Sequence, residues 1–476
     1  MQQKITYAGT VSRSFAEGSD LLHRLADLPV SAKQVERLAR RIGSERVAER
    51  DAEVAAYQAL PLVEKFQVPP AVKAPDLAVV MADGGRLQIL DRSQQAAAAP
   101  LPQAEAGNDT MASVAEDGRA GSVTAREAEG GNDAVATVAE AKADAAWEEA
   151  KVPADGAAHG PLDGAPADAA WEEEKVPAGH WREDKVGLLL TMHSAVSATD
   201  PCPEIPASFL DAARIAELVR TLSRQVKEPA DRVGEAREVP TADEALPEPS
   251  TYQPPQVQQR KVLASRLRWP SFAPIVAAAA WAWGFQEAAR KAFVGDGSAN
   301  HWRLQRRFFG SFVPILDFIH ALSYVYAAAT AGQSRVAGWL CYRQWIAWVW
   351  QGQVTKVLTA LQARQAELGP PEQDEPKTSP RQVVARTLTY LGNQQDKMHY
   401  DAYRRQGLPI TSSLMESVVK QINQRVKGTE KFWSEEGAEA LLQLRADQLS
   451  DDQPLEAFWQ RRQEAATGRR RYNSAA

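Results

Sequence analysis

A long acidic segment between residues 93 and 179 interrupts the part of the sequence that can fold. It is rich in Ala, Gly, Asp and Glu and poor in large aliphatic side chains. Such a composition cannot bury enough apolar surface to offset the entropy lost on ordering, so we predict that the segment is disordered. A fold that uses the sequence on both sides is therefore split by this insertion.

The acidic segment contains a repeat with a period of 24 residues, in which GND recurs at Gly107 and Gly131 and ADAAWEE recurs at Ala143 and Ala167. The Trp-Glu-Glu motif of the repeat is similar to WREDKV at residues 181–186, which opens the apolar run VGLLLTMH. We interpret this last copy as a β-strand and the earlier copies as duplications without a structural role. Folded sequence therefore resumes near residue 181.

The net charge of the chain is unevenly distributed. The formal charge is −6 overall, but residues 104–185 alone carry −12, which leaves about +6 on the remainder. A mildly basic folded part is compatible with a polyanionic partner, although many basic faces are simply solvated. The charge therefore permits a nucleic-acid partner without identifying one.

Cysteine usage and hydropathy exclude several classes of protein. Cys202 and Cys341 are far apart and lack a CxxC partner, which excludes a thiolate zinc site and argues against a disulfide framework. The longest apolar run, residues 273–285, is too short to span a bilayer, and the N-terminus lacks an export signal. We expect a cytoplasmic protein without a membrane partner, in which any metal ion is bound by oxygen or histidine ligands.

Hydrophobic patterning divides the chain into consecutive regions of an α/β protein. In chain order we predict a helical N-terminal region at 1–76, the first part of an α/β core at 77–92, the acidic insertion at 93–180, the continuation of the core at 181–320 with a linker at about 228–258, a helical insertion at 321–408, a core helix at 409–435, and a C-terminal helix with a basic tail at 436–476.

Three predicted strands carry acidic residues. LAVVMADGGRLQILD consists of two apolar stretches around Asp-Gly-Gly and predicts a β-hairpin whose first strand ends at Asp83. AFVGDG at residues 292–297 predicts a short strand that ends at Asp296, followed by a basic helix, and FVPILDFIHA predicts another strand. Residues 412–427 predict a helix that contains Glu416, with Ser412 as its N-cap.

The N-terminal region has a possible DNA-binding motif. Ser31 and Gln34 form a capping-box pattern at the start of a helix, Gly43 is a predicted stop, and a second helix begins at about Ser44. This pattern permits a helix-turn-helix. The alternative is an amphipathic helical hairpin whose basic face, which includes Arg37, is solvated.

Asp83, Asp296 and Glu416 are candidate ligands for two metal ions. Two-metal phosphodiester chemistry needs carboxylates that hold ions about 3.5 to 4 Å apart, and hard oxygen ligands suit Mg²⁺ or Mn²⁺. Each residue alone is weak evidence, because an Asp before Gly at a strand end is usually a turn former. Glu416 could also simply pair with Lys420 four residues later.

Several motifs together resemble bacterial insertion-sequence transposases of the Kra and Lre types, which are relatives of the Mutator-like DDE enzymes. The family has an Asp-Gly strand, a Trp-containing helix, an ILDFxH strand, and a Pro-x-x-Ser-x-x-x-Glu helix with Lys, Arg and Trp downstream. These features match Asp296 and Gly297, Trp302, Asp317 and His320, and Pro409, Ser413, Glu416, Lys420, Arg425 and Trp433. VMADGGRLQ around Asp83 and WREDKVGLLL around Lys185 are similar to its early strands, so the resemblance covers residues 77–435 apart from the acidic insertion.

The resemblance implies a ribonuclease-H-like core that cleaves element ends and transfers the DNA strands. Asp83, Asp296 and Glu416 would be catalytic and would bind two Mg²⁺ or Mn²⁺ ions. The partners would be element-end DNA and target DNA, bound by a homodimer or higher oligomer in the bacterial nucleoid. The alternatives are a nuclease of the same fold without strand transfer and an inactive, transposase-derived DNA-binding protein.

Further residues are expected to contact DNA or to support the site. The expected DNA contacts are His320, Arg303, Arg306, Lys420, Arg425, Lys427 and Trp433, and the expected supporting residues are Asp317 and Lys185. For His320 the alternative is a hydrogen-bonded core histidine, and for the basic residues it is a solvated helix face. Trp345, Trp348 and Trp350 could stack on a base, but core packing is the favoured interpretation.

Overall fold

The structure is a computed structural model that describes residues 1–89, 171, 180–227, 252–428 and 431–467. The predicted disorder of residues 93–179 therefore lies outside the described residues except at Trp171, as do most of the predicted linker and the basic tail. The described residues belong to one compact unit. None of the helices within these ranges is long and apolar enough to cross a membrane.

The described part of the chain is an α/β fold with a mixed sheet of six strands. The strands are β1 (Leu77–Ile89), β2 (Trp181–His193), β3 (Gln256–Ser265), β4 (Arg290–Gly295), β5 (Val313–Leu316) and β6 (Phe432–Trp433). The order across the sheet is β3-β2-β1-β4-β5, with β6 paired to the end of β1. β2 is antiparallel to both of its neighbours, β1 and β3, whereas β4 and β5 extend the sheet in parallel with β1.

Strand β1 is continuous, so the predicted hairpin within residues 77–91 is wrong. Asp83 lies inside the strand, and the antiparallel partner is β2, on the far side of the acidic insertion. The two glycines support this pairing because they lack side chains: a Cβ atom at Gly85 would lie 2.8 Å from both carboxyl oxygens of Asp184 on β2. The two glycines after Asp83 therefore allow the neighbouring strand to approach closely, and they do not form a turn.

Helices surround this sheet. They are α1 (Gln2–Val11), α2 (Phe15–Ala26), α3 (Ala32–Ala59), α4 (Leu62–Lys65), α5 (Ala212–Lys227), α6 (Trp269–Ala282), α7 (Ala299–Phe308), α8 (Phe318–Thr330), α9 (Arg335–Trp350), α10 (Val354–Leu368), α11 (Pro380–Gln394), α12 (Tyr400–Arg405), α13 (Ser413–Val426), α14 (Glu435–Leu449) and α15 (Pro454–Thr467). Helix α13 packs on β1, and α6 packs on β2 and β3.

The N-terminal helix α3 does not end at Gly43, so the predicted turn of a helix-turn-helix at this position is wrong. The capping box of Ser31 and Gln34 is confirmed. Gly43 instead permits close packing on α14, because a Cβ atom there would lie 2.4 Å from the Ala440 carbonyl oxygen. Buried pairs of Arg46 with Asp447 at 2.9 Å and of Arg50 with Glu439 at 2.8 Å hold the two helices together.

Residues 321–408, for which we predicted a helical insertion, lie largely in helices α8 to α12, and a loop separates α10 from α11. The strand expected from FVPILDFIHA is shorter than predicted: β5 ends at Leu316, and the Asp317 carboxylate caps α8. Trp345 and Trp350 are buried in the main core, as the packing interpretation predicts. Trp171, from a repeat copy to which we assigned no structural role, packs against the same core.

Candidate functional site

The register of β1 and β4 locates Asp83 and Asp296 relative to each other. The last aligned pair of these parallel strands is Met81 with Val294, and Asp83 and Asp296 each follow two residues later. Asp83 therefore lies on β1 just beyond the last aligned pair, and Asp296 follows the end of the neighbouring strand β4.

Asp296 lies in the turn between β4 and α7. Its Oδ1 atom accepts a hydrogen bond from the Ser298 amide at 2.9 Å and lies 2.7 Å from Nδ1 of His301. Its carbonyl oxygen accepts a hydrogen bond from the Tyr390 hydroxyl at 2.7 Å. Side chains from two helices therefore hold both the carboxylate and the backbone of this residue.

Helix α13 places Glu416 at the level of Asp83. Asn423 lies against Gly85, and Nε2 of Gln88 donates to the Gly428 carbonyl at 3.2 Å, so α13 and β1 run in the same direction. Going back from Asn423 to Glu416 covers about 10 Å of helix. Going back the same distance from Gly85 along an extended strand reaches Ala82 and Asp83.

The charges around Glu416 confirm that acidic residues cluster here. Its side chain is 18% exposed. Burial, followed by the negative charges of Asp317 and Asp83, raises the Glu416 pKa above its usual value, while His320 and Lys420 act in the opposite direction. Lys420 Nζ lies 3.9 Å from the Glu416 carboxylate, so the pair predicted from their spacing is present, but Glu416 is not on an open helix face.

Asp317 joins three elements of the site. The fully buried carboxylate accepts hydrogen bonds from the Ser412 amide at 2.9 Å and from the Ile319 and His320 amides at 3.3 Å. The His320 ring contacts it through Nδ1 at 2.6 Å. Asp317 therefore pairs with His320 and connects β5, α8 and the start of α13.

The charges of Asp317 and Asp83 act on Glu416, but the acidic side chains of the described residues do not form a closed ligand set in this conformation. Within the described ranges, no group of three or more His, Cys, Asp or Glu side chains is placed to hold a metal ion. The Asp296 carboxylate accepts a hydrogen bond from the Ser298 amide and contacts the His301 ring, so it already has partners in this conformation. A three-ligand metal site therefore needs at least one side chain to change its rotamer.

Some of the expected DNA contacts are accessible. Lys420 is 44% exposed, and Arg303, Arg306 and Lys427 are half-buried on or beside α7 and α13. Nη1 of Arg303 donates to Asn300 at 3.0 Å. These residues lie on or beside α13, which carries Glu416, and α7, which follows Asp296.

Arg425 and Trp433 instead make hydrogen bonds to backbone carbonyls of the protein. Arg425 is 2% exposed, and its guanidinium donates two hydrogen bonds to the Gly9 carbonyl at 2.9 and 3.0 Å. It lies over the Phe15 ring, 4.4 Å from the centroid, and burial lowers its pKa to about 10. Trp433 Nε1 donates to the Val426 carbonyl at 2.8 Å. The structure therefore places Arg425 where DNA cannot reach it, because docking of α1 covers it.

Lys185 does not face the acidic cluster. Val186 is the residue paired with Asp83, and successive side chains of a strand point to opposite faces. Lys185 is fully buried, with Nζ 3.7 Å from Glu183. Any support that it gives to Asp83 is transmitted through the sheet.

Three residues of the site were not predicted. His301 and Tyr390 contact Asp296 directly, and Asp184 is buried opposite Gly85. His301 stands one residue before Trp302 in a predicted motif, which is the one local signal. Tyr390 and Asp184 have no such signal, since their roles depend on contacts between distant parts of the chain.

Comparisons with protein-family models, curated proteins and solved structures find no match for this chain. The function must therefore be inferred from the sequence motifs and the geometry of the site.

Proposed function

We propose that the protein is a DDE transposase with a ribonuclease-H-like core, in which Asp83, Asp296 and Glu416 are the catalytic residues. The supporting observation is that α13, which carries Glu416, packs on β1, which carries Asp83, and that Asp296 follows β4, the strand beside β1. Burial and the charges of Asp317 and Asp83 raise the Glu416 pKa. The arrangement agrees with the ribonuclease-H pattern, in which strands supply two carboxylates and a helix supplies the third. The rearrangement that metal binding needs would accompany DNA binding.

The residues at this site fit divalent metal ions. Carboxylates are hard oxygen ligands, which Mg²⁺ and Mn²⁺ prefer. Burial and then the negative charges of Asp317 and Asp83 raise the Glu416 pKa, and a bound cation would offset this repulsion. Asp83, Asp296 and Glu416 would hold the ions, and two ions bound there would stabilise both the attacking and the leaving oxygen of a phosphodiester.

The other residues would orient the site and the DNA. Asp317 and His320 fix the start of α13, and thereby the direction of Glu416. Lys420 and Arg306 would contact phosphates on either side of the scissile bond. Hydrolysis would release a 3′-hydroxyl at each element end, and the same site would direct this hydroxyl to target DNA. Pairing two ends requires at least a dimer.

The test uses the full-length protein, Mg²⁺ or Mn²⁺, and a plasmid that carries its gene with the flanking DNA. We expect nicked or cleaved ends and joined products, both abolished by Asp83→Asn, Asp296→Asn and Glu416→Gln while DNA binding is retained. Glu367→Gln, at an exposed glutamate of α10, is the matched control and should be active.

Each alternative function has its own result in this assay. Cleavage without joined products would indicate a nuclease of the same fold. DNA binding without metal-dependent cleavage would indicate an inactive, transposase-derived binding protein. Cleavage that survives one of the three substitutions would remove that residue from the proposed site.

A further inference from the structure

One face of α11 in the helical insertion binds the turn that carries Asp296. The Tyr390 hydroxyl donates to the Asp296 carbonyl at 2.7 Å, and Gln394 Nε2 donates to the Gly297 carbonyl at 3.3 Å. Residues four apart lie on the same face of a helix. Two consecutive carbonyls of the turn are therefore bound by a single helix face.

The position of the Tyr390 hydroxyl is fixed by ring packing. Gly297 has a φ of 95°, and a Cβ atom there would lie 2.8 Å from the Tyr390 ring, so the turn and the ring are in close contact. The ring also stacks on Tyr324 of α8, with centroids 3.8 Å apart and an interplanar angle of 9°. Burial and nearby negative charges, including Asp296, raise the Tyr390 pKa well above its usual value, so the hydroxyl remains a donor.

Two further tyrosines join the helical insertion to the neighbouring strand. The Tyr400 hydroxyl donates to the Leu316 carbonyl at 2.9 Å, and the Tyr403 hydroxyl donates to the Pro314 carbonyl at 3.3 Å. Both acceptors belong to β5, whose end lies beside β4. The insertion is therefore attached to the sheet at the edge where Asp296 and Asp317 lie.

We propose that Tyr390 is a positioning residue for Asp296, so that the helical insertion sets the geometry of the metal site. The proposal deepens the proposed function and depends on it for the identity of the ligand. The Tyr390 hydroxyl binds the Asp296 carbonyl and thereby fixes the backbone position of Asp296. That backbone position determines which points the carboxylate can reach when it leaves His301 for a metal ion. Loss of the hydroxyl should weaken metal binding without removing a ligand.

The test compares Tyr390→Phe with Tyr324→Phe in the full-length protein. Both variants remove one hydroxyl from the same stacked pair, but only Tyr390 donates to Asp296. We expect Tyr390→Phe to raise the Kd for Mn²⁺, measured by calorimetry, by roughly tenfold to a hundredfold, which is the usual effect of removing a hydrogen bond that orients a metal ligand. The imidazole nitrogen resonances of His301, which contacts Asp296 Oδ1, should shift in Tyr390→Phe and stay unchanged in Tyr324→Phe.

The two readouts separate this proposal from the proposed function. An unchanged Kd for Mn²⁺ in Tyr390→Phe, with a wild-type protein that binds Mn²⁺, overturns the positioning role. A wild-type protein that binds no Mn²⁺ overturns the proposed metal site, and the His301 resonances then decide alone whether Tyr390 positions Asp296. If Tyr390→Phe does not fold, Gln394→Met removes the second hydrogen bond to the turn and must weaken Mn²⁺ binding for the proposal to stand.

Discussion

At the scale of single residues, Asp184 is a buried carboxyl group that lies in the space left by the missing side chain of Gly85. It lies fully buried opposite Gly85, and neither of its oxygens has a hydrogen-bond partner among the described residues. Asn423 Oδ1 of α13, beside the same glycine, also lacks a partner within these residues. Burial, followed by the charges of Glu183 and Asp83, raises the Asp184 pKa to about 7.

The free energy of unfolding should therefore fall as the pH rises from about 4 to about 7. In this range the folded state keeps a proton that the unfolded state, with a pKa of 3.8, has lost. This stabilisation is complete below the unfolded pKa and is gone above pH 7, with an upper bound of about 4 kcal/mol. Asp184→Asn should raise the thermal midpoint at about pH 8 and change it little at about pH 4.

Circular dichroism melts at the two pH values measure this difference. Asp374→Asn is the matched control, because this aspartate is exposed in the loop between α10 and α11, away from Asp184, and should give no pH-dependent gain. A gain of equal size for Asp184→Asn at both pH values would show that the carboxyl group is not protonated by folding.

At the scale of helices and strands, local sequence signals predicted local structure. The capping box of α3, helix α13, and the succession of helices from α8 to α12 were predicted, because each depends on residues close in sequence. The continuous β1 was not predicted, because its partner β2 lies beyond the acidic insertion. The acidic residues could be selected by motif, but the contacts of Asp296 with Tyr390 could not, since they join two distant elements.

Two glycines in helices allow a test of tertiary packing. Alanine favours a helix over glycine by about 1 kcal/mol. At Gly43, however, a Cβ atom would lie 2.4 Å from a backbone oxygen of α14, whereas at Gly392 of α11 it would meet nothing within 4 Å. We expect Gly43→Ala to lower the free energy of unfolding by about 1 to 3 kcal/mol.

The matched substitution Gly392→Ala should raise the free energy of unfolding by about 0.5 to 1 kcal/mol. Urea unfolding followed by circular dichroism measures both changes. Stabilisation by Gly43→Ala would mean that α3 and α14 do not approach each other as closely as described.

At the scale of the whole molecule, the acidic insertion connects two strand ends that already touch. Gln88 is paired with Trp181, and the Ile89 amide donates to the His180 carbonyl at 2.8 Å. Trp171 packs against the core and lies 6.0 Å from the Arg303 guanidinium, so the last part of the insertion has its own contacts. The preceding part of the insertion is not needed to bring β1 and β2 together.

Deletion of residues 93–165 should therefore leave the fold intact. It keeps Trp171 and shortens the connection about fivefold, which lowers the entropy cost of closing the loop by about 1.4 kcal/mol. We expect an equal or slightly higher free energy of unfolding in urea, with the same far-ultraviolet spectrum outside the lost residues. A clear loss of stability would show that the deleted residues contribute to the core.

The docking of α3 on α14 also has a consequence for synthesis. The partners of Arg46 and Arg50 are Asp447 and Glu439, and the acceptor for Arg425 is Gly9, so the N-terminal helices bind elements near the other end of the chain. At roughly 5 to 20 residues per second, the ribosome needs about 20 to 80 seconds to add the residues between them. For that time the nascent chain exposes the part of α3 that packs on α14, and a polypeptide that stops before α14 never covers it.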